Sequence, residues 1–125
     1  MQLVLKMLAI SGIIGLFTLG LSAYFVPALI YTNSAFSWSP DGIAGMSGTR
    51  SVIGGHFIGL AAIGIYAFIT SKYKLLYVIA ISEISIAFGR LISLSTDGYD
   101  SQILFPLGVE LYFAISMFCA ARFLK

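Results

Sequence analysis

The sequence has little charge: only 10% of its 125 residues are Asp, Glu, Lys or Arg, whereas 59% are hydrophobic. A soluble domain of this length needs many more charged residues to cover its surface, so this composition excludes a soluble globular protein. The net charge is only +2, and no basic cluster with interleaved aromatic residues occurs. A nucleic-acid-binding protein is therefore not expected.

Cysteine is nearly absent as well, since Cys119 is the single one in the chain. One thiol cannot form an internal disulfide, and without a CxxC or Cys/His cluster the sequence has no signature of zinc or redox chemistry. A lone cysteine deep in an apolar stretch is typically a small packing residue. We expect no metal and no cofactor.

What the sequence has instead is long apolar runs. A membrane-spanning helix needs roughly 20 mostly apolar residues. Four windows qualify, at about residues 3–26, 50–70, 75–95 and 102–124. The prediction is an all-α integral membrane protein, a single four-helix transmembrane domain over residues 1–125.

The segments between these runs have the composition of loops and turns. Pro27 and the stretch 33–48, rich in Ser, Gly and Pro, separate the first two runs. "SKYK" (71–74) and "TDGYD" (96–100) are tight turns, and Gly98 is suited to a left-handed helix C-cap. Phe36 and Trp38 in the long first loop either lie along the membrane interface or are ordinary loop residues.

Lysine and arginine near the helix ends predict the orientation. Four spans place both termini and the 71–74 turn on one side. That side has five basic residues and no acidic side chain: Lys6, Lys72, Lys74, Arg122 and Lys125. Asp41, Asp97 and Asp100 lie on the opposite side, with Arg50 at the edge of the second helix. Both termini are therefore expected in the cytoplasm, and the 27–49 and 96–101 loops outside.

Ionisable residues inside the spans are the most informative feature. At about 1.5 Å of rise per residue, His56 lies about 9 Å deeper than Arg50, Arg90 about 10 Å below Asp97, and Glu110 about 12 Å below the start of the fourth helix. A charge near the middle of a span costs about 2.5–3.5 kcal/mol on insertion scales. These side chains are therefore expected to face inward and to contact each other or water.

Helical periodicity supports a shared site. Glu83, Arg90 and Asp97 recur every seven residues and so share one stripe of the third helix, with Glu83 nearest the midplane. The predicted network consists of charged residues closed by one further polar side chain: Arg50, Arg90, Asp97 and Glu110, with His56 or Tyr112. Such a network either only specifies helix register, as buried ion pairs can, or forms a functional site.

The second helix contains a small-residue pattern, because Gly55 and Gly59 have GxxxG spacing and Ala62 continues their face. Small residues let helices approach closely in lipid. We interpret this seam as packing inside the bundle, with self-association as the alternative. His56 adjoins the seam, and a lone histidine with only carboxylates as potential partners is expected to be hydrogen-bonded rather than to bind a metal.

The segments "TRSVIGGHFIG" (49–59), "FGRLISLSTDG" (88–98) and "PLGVEL" (106–111) resemble a small bacterial four-helix membrane family, family 4345 of the domains of unknown function, which is broadly DoxX-like. The resemblance covers roughly residues 5–122. It implies the four-helix fold in a bacterial inner membrane and emphasises Arg50, Arg90, Asp97 and Glu110, but it implies no activity. Some DoxX-like proteins are described as redox-associated subunits, a role that the missing cysteine pair does not favour here.

Two functions are compatible with these residues. The first is a non-enzymatic protein that binds a lipid or other small ligand, or that serves as an accessory subunit with a protein partner or a second copy. The second is a membrane-embedded acid–base enzyme or proton-coupled carrier. In that case Glu110 or Glu83 exchanges protons and Arg90 holds an anionic or carbonyl group.

Overall fold

The computed structural model describes residues 1–31 and 42–125, so Phe36, Trp38 and Asp41 lie outside the described residues. Every regular element in the described part of the chain is helical. Four helices are long and apolar enough to cross a membrane: Gln2–Phe25, Gly45–Ile69, Tyr73–Thr96 and Ser101–Phe123. The prediction of an all-α fold is confirmed, and the four helices have the length and composition of the predicted small multi-pass membrane protein. The predicted side of the termini stays a prediction.

The described residues form six α-helices and three short helical segments. The α-helices are α1 (Gln2–Phe25), α2 (Ala28–Tyr31), α3 (Gly42–Gly48), α4 (Gly55–Ile69), α5 (Leu76–Thr96) and α6 (Leu104–Phe123). A π-helical segment, Thr49–Gly54, joins α3 to α4. The 3-10 segments Tyr73–Leu75 and Ser101–Ile103 lead into α5 and α6.

The second span begins earlier than its sequence suggests. A start near Arg50 was predicted because residues 33–48 are rich in Gly and Ser, yet Gly42–Gly48 is helical and continues through the π-helical segment. Backbone N–H and C=O groups that enter an apolar medium must be paired within the segment, and this requirement outweighs the poor helix propensity of glycine. The loop prediction is therefore wrong for residues 42–48.

The two tight turns lie where the sequence predicts them. Ser71 has a positive φ of 55°, and α5 begins within a few residues of it. After α5 ends at Thr96, Gly98 has φ 108°, a backbone conformation that residues other than glycine rarely adopt. The left-handed position predicted for Gly98 is confirmed.

The four spans form a closed bundle. α5 and α6 form the most extensive pair, α1 packs on both α4 and α6, and a smaller contact between α4 and α5 completes the ring. Fully buried side chains at its centre include Leu16, Leu76, Ile79 and Met117. Many large apolar side chains face outward, as expected where lipid rather than water surrounds the helices.

Close helix contacts depend on glycines other than the predicted pair. A Cβ added to Gly64 would lie 2.6 Å from Ile13 Cγ1, and one added to Gly20 would lie 2.9 Å from the backbone N of Ile58. Among the described residues, nothing lies within 4 Å of such a Cβ on Gly59, and one on Gly55 meets only the Tyr24 hydroxyl. The interpretation of Gly59 as internal packing is wrong, because α4 is rotated so that Gly64 faces α1.

Candidate functional site

Arg90 on α5 and Glu110 on α6 form an ion pair inside the bundle. Arg90 Nε donates to Glu110 Oε1 at 2.6 Å, and the two side chains are only 21% and 11% exposed. Each residue lies six positions, about 9 Å, from the end of its helix nearest the 97–103 connection. Because α5 and α6 are antiparallel neighbours, equal depth brings the two charges together. The predicted contact between these residues is observed.

The pair leaves hydrogen-bonding capacity unused. Glu110 Oε2 is buried and has no hydrogen-bond partner among the described residues. Arg90 contacts the carboxylate through Nε, and no hydrogen bond of its two terminal amino groups is seen in the described part of the chain. A guanidinium can donate five N–H groups, and a carboxylate usually accepts several hydrogen bonds. The two side chains are therefore joined by one hydrogen bond rather than by a bidentate pair of hydrogen bonds.

Glu83 adds a second buried carboxyl to this region. It lies seven residues before Arg90 on α5 and is 1% exposed, and its Oε1 also has no partner within residues 1–31 and 42–125. Glu110 is likewise buried, at 8% exposure of the whole residue. Two carboxyl groups and one guanidinium therefore occupy one apolar interior. We call Glu83, Arg90 and Glu110 the carboxylate site.

Arg50 does not join the carboxylate site, contrary to the predicted network. Its Nε donates to the carbonyl oxygen of Tyr24 at 3.1 Å, in the last turn of α1. The last carbonyl groups of a helix have no intrahelical donor and carry partial negative charge, so a cation there is favourable. The π-helical segment holds Arg50 against this end of α1, away from Glu110 and Asp97.

Asp97 and His56 have local partners instead. Asp97 is exposed and accepts hydrogen bonds from Ser93 Oγ at 2.7 Å and Thr96 Oγ1 at 3.1 Å, both on its own helix. His56 Nε2 lies 3.2 Å from Ser82 Oγ, which links α4 to α5. The one ion pair within the described ranges is Arg90–Glu110, so the prediction that Asp97 pairs with an arginine is wrong.

Tyr112 also has a different role from the one predicted. Its hydroxyl lies 2.6 Å from Ser11 Oγ on α1, and Ser11 Oγ itself donates to Leu8 O at 2.8 Å. The tyrosine hydroxyl is therefore the donor, and it ties α6 to α1 rather than closing the charged network. Sequence reasoning missed Ser11 and Ser82, although a hydroxyl within an apolar span is itself a signal for an interhelical hydrogen bond.

An apolar cavity lies on the outer face of the two helices that carry the carboxylate site. It has a volume of about 300 Å³ and is lined by Ile84, Leu111, Ala114, Ile115 and Phe118 of α5 and α6. Ile84 follows Glu83 directly, and Leu111 follows Glu110. The same two helices therefore present an acidic interior and an apolar groove within one turn of each other.

No protein-family model matches the chain, and neither a curated protein nor a solved structure matches it.

Proposed function

We propose that the protein is a non-enzymatic binder of a small amphipathic ligand dissolved in the membrane, and that the carboxylate site holds the ligand's polar group. The observation that carries this proposal is the pair of buried carboxyl oxygens that have no partner among residues 1–31 and 42–125, Glu83 Oε1 and Glu110 Oε2. Buried polar atoms in folded proteins are almost always hydrogen-bonded to protein, water or ligand.

The charges of the site select the kind of ligand. Two carboxyls against one guanidinium disfavour an anion and favour a group that donates hydrogen bonds, such as a hydroxyl or an amine. The terminal amino groups of Arg90 add donors for an acceptor atom on the same ligand. A small alcohol, amino alcohol or amine with an apolar tail satisfies both requirements.

The apolar cavity supports the same class of ligand. A volume of about 300 Å³ is at the lower end of the size of ligand pockets in proteins. Ile84 and Leu111 follow Glu83 and Glu110 directly in the sequence, so we place the apolar tail of the ligand in this groove and its polar group at the carboxyls. The ligand would reach the carboxylate site past the side chain of Arg90, which is 21% exposed.

The proposed resemblance to the DoxX-like family does not indicate a substrate. We propose that the protein lies in a bacterial inner membrane. We also propose that both termini are cytoplasmic. Support comes from the charge distribution: the described helix ends beside the termini and the 71–74 turn have basic side chains, whereas Asp97 and Asp100 lie at the opposite end.

The proposal predicts that the protein retains a ligand through purification. The wild-type protein, extracted in mild detergent and analysed by native mass spectrometry, should carry an additional non-protein mass that organic extraction identifies as a neutral or amine-bearing amphipath. Glu83→Gln keeps the side-chain volume but replaces one carboxyl oxygen by an NH2 group, and it should reduce retention at least tenfold, because a hydrogen bond to a charged group contributes about 1.5–3 kcal/mol.

Asp97→Asn is the matched control, because this exposed carboxylate has local partners and lies outside the carboxylate site. It should retain as much ligand as the wild type. Absence of any bound mass in the wild type, or equal retention by Glu83→Gln and wild type, would show that water rather than a ligand occupies the site.

A further inference from the structure

A second site lies at the end of the bundle where α4 passes into α5 and α6 ends. An open pocket of about 440 Å³ is lined there by Lys72, Lys74 and Lys125, and Leu75 and Leu124 contribute apolar surface. The three lysines come from two segments that are far apart in the sequence. The fold therefore gathers their charge at one place.

Further cations surround this pocket and no acidic side chain offsets them. Lys6 Nζ lies 6.0 Å from the centre of the Tyr73 ring, and Arg122 lies in the last turn of α6. The sequence has no Asp or Glu in residues 1–40, 42–82 or 111–125. The pocket therefore has a positive field that no Asp or Glu side chain of these segments neutralises.

The backbone at the pocket favours an anion as well. The helix that becomes α5 starts with the 3-10 segment Tyr73–Leu75, and its N-cap, Lys72, makes no side-chain cap. The first N–H groups of a helix have no intrahelical acceptor and carry partial positive charge. Lysine side chains and backbone N–H groups at one pocket form a typical phosphate-binding combination.

We propose that this pocket binds the phosphate group of an anionic phospholipid. The lipid is favoured over a soluble phosphate because the pocket lies at the end of the apolar spans. Ile69 and Phe123, at the ends of α4 and α6, are 78% and 51% exposed. A lipid in the adjacent leaflet places its phosphate at the lysines while its chains cover these side chains. This site is separate from the carboxylate site and does not depend on it.

Titration of the detergent-solubilised protein with phosphatidylglycerol, followed by native mass spectrometry, tests the proposal. Phosphatidylglycerol should bind in preference to phosphatidylcholine, and about 1 M salt should abolish the preference. Replacing Lys72, Lys74 and Lys125 together by glutamine should weaken phosphatidylglycerol binding about a hundredfold, since each lysine near a surface contributes about fivefold. Replacing the same three residues by arginine should preserve it.

Arg122→Gln is the control, because it removes one charge at this end without changing the lining of the pocket; it should weaken binding about fivefold or less. Circular dichroism should show unchanged helical content in every variant. Equal binding by the triple glutamine variant and wild type would overturn the proposal, as would a salt-insensitive preference in the wild type. If Arg122→Gln weakened phosphatidylglycerol binding as much as the triple glutamine variant does, the binding would depend on the overall positive charge at this end and not on the pocket. Competition by inorganic phosphate at the same concentration as the lipid would identify a soluble anion as the occupant.

Discussion

Arg90 illustrates how a charged residue is accommodated in an apolar helix. Its insertion costs about 2.5–3.5 kcal/mol on translocation scales, and the structure offsets this cost with one short contact to Glu110. The contact is made through Nε, the guanidinium nitrogen that is bonded to Cδ. The terminal amino groups have no partner in the part of the chain that the structure describes, and we propose that they serve a ligand or water.

The pair predicts a specific pattern in a double-mutant cycle. Glu110→Leu leaves the arginine uncompensated and should destabilise the protein by about 3 kcal/mol, the lower end of the range for buried pairs because Arg90 is 21% exposed. Arg90→Met should be destabilising for the converse reason. The double variant should be milder than either single one, because both charges are removed together. Unfolding in mild detergent, followed by circular dichroism, measures all four proteins.

Arg90→Lys is the conservative comparison within the same experiment. Lysine keeps the positive charge of the side chain. It has no N–H group at the position of Nε, so the observed contact with Glu110 is lost. The expected loss is about 1–2 kcal/mol, less than that of Glu110→Leu. If the effects of Glu110→Leu and Arg90→Met simply added in the double variant, the contact between the two residues would contribute no coupling energy, and the pairing argument would fail.

At the scale of the elements, the second span is distinguished by the π-helical segment Thr49–Gly54. Such segments are rare and often occur at functional sites. Here the segment carries Arg50 to the carbonyl end of α1, and Gly54 at its end packs against Tyr24. Beyond it, α4 turns Gly64 toward Ile13 and leaves Gly59 facing outward.

This rotation predicts opposite results for two glycines on the same helix. Gly64→Ala places a methyl group 2.6 Å from Ile13 Cγ1 and should destabilise the bundle by about 1–3 kcal/mol through overpacking. Gly59→Ala enters open space and should be neutral or stabilising by up to about 1 kcal/mol, because alanine favours the helix. Melting temperatures of the two variants in the same detergent give the comparison.

Size-exclusion chromatography with light scattering extends this comparison to self-association, the other interpretation of the Gly55 and Gly59 pattern. A Gly59→Leu variant that changes the oligomeric state without lowering the melting temperature would support an interface between copies. Greater destabilisation by Gly59→Ala than by Gly64→Ala would contradict the packing described for α4.

For the whole molecule, four spans require both termini to lie on the same side of the membrane. The side is predicted by charge. Tyr73 would report it poorly, since it is only 8% exposed and packs against Phe68. Ser71 and Tyr99 are exposed at opposite ends of α5 and are better reporters.

Cysteine labelling of intact cells tests this orientation. In a Cys119→Ala background, Ser71→Cys should react with a membrane-impermeant maleimide only after the membrane is permeabilised, whereas Tyr99→Cys should react in intact cells. The positive-inside rule is the reason for this expectation. The reverse pattern would place the phospholipid pocket in the outer leaflet and would leave the helix packing unchanged.

Several features of the fold could be predicted from local sequence. The four spans follow from apolar length, which each segment carries by itself, and Gly98 follows from the turn chemistry at the end of α5. The Arg90–Glu110 contact could also be predicted, because two charges at one depth on neighbouring antiparallel helices have few other partners in lipid. Depth depends on residue number, so the sequence is sufficient to determine it.

Only the tertiary structure decided how the helices are rotated about their axes. Lipid and the bundle interior are both apolar, so the sequence pattern does not distinguish the inward face of α1 or α6. This rotation turns Gly64 rather than Gly59 toward α1 and brings Tyr112 to Ser11. Likewise, only the packing of the π-helical segment on α1 gives Arg50 a backbone carbonyl as its partner. Charge and hydropathy determine depth along each helix, whereas rotation is settled by the steric fit between neighbouring helices.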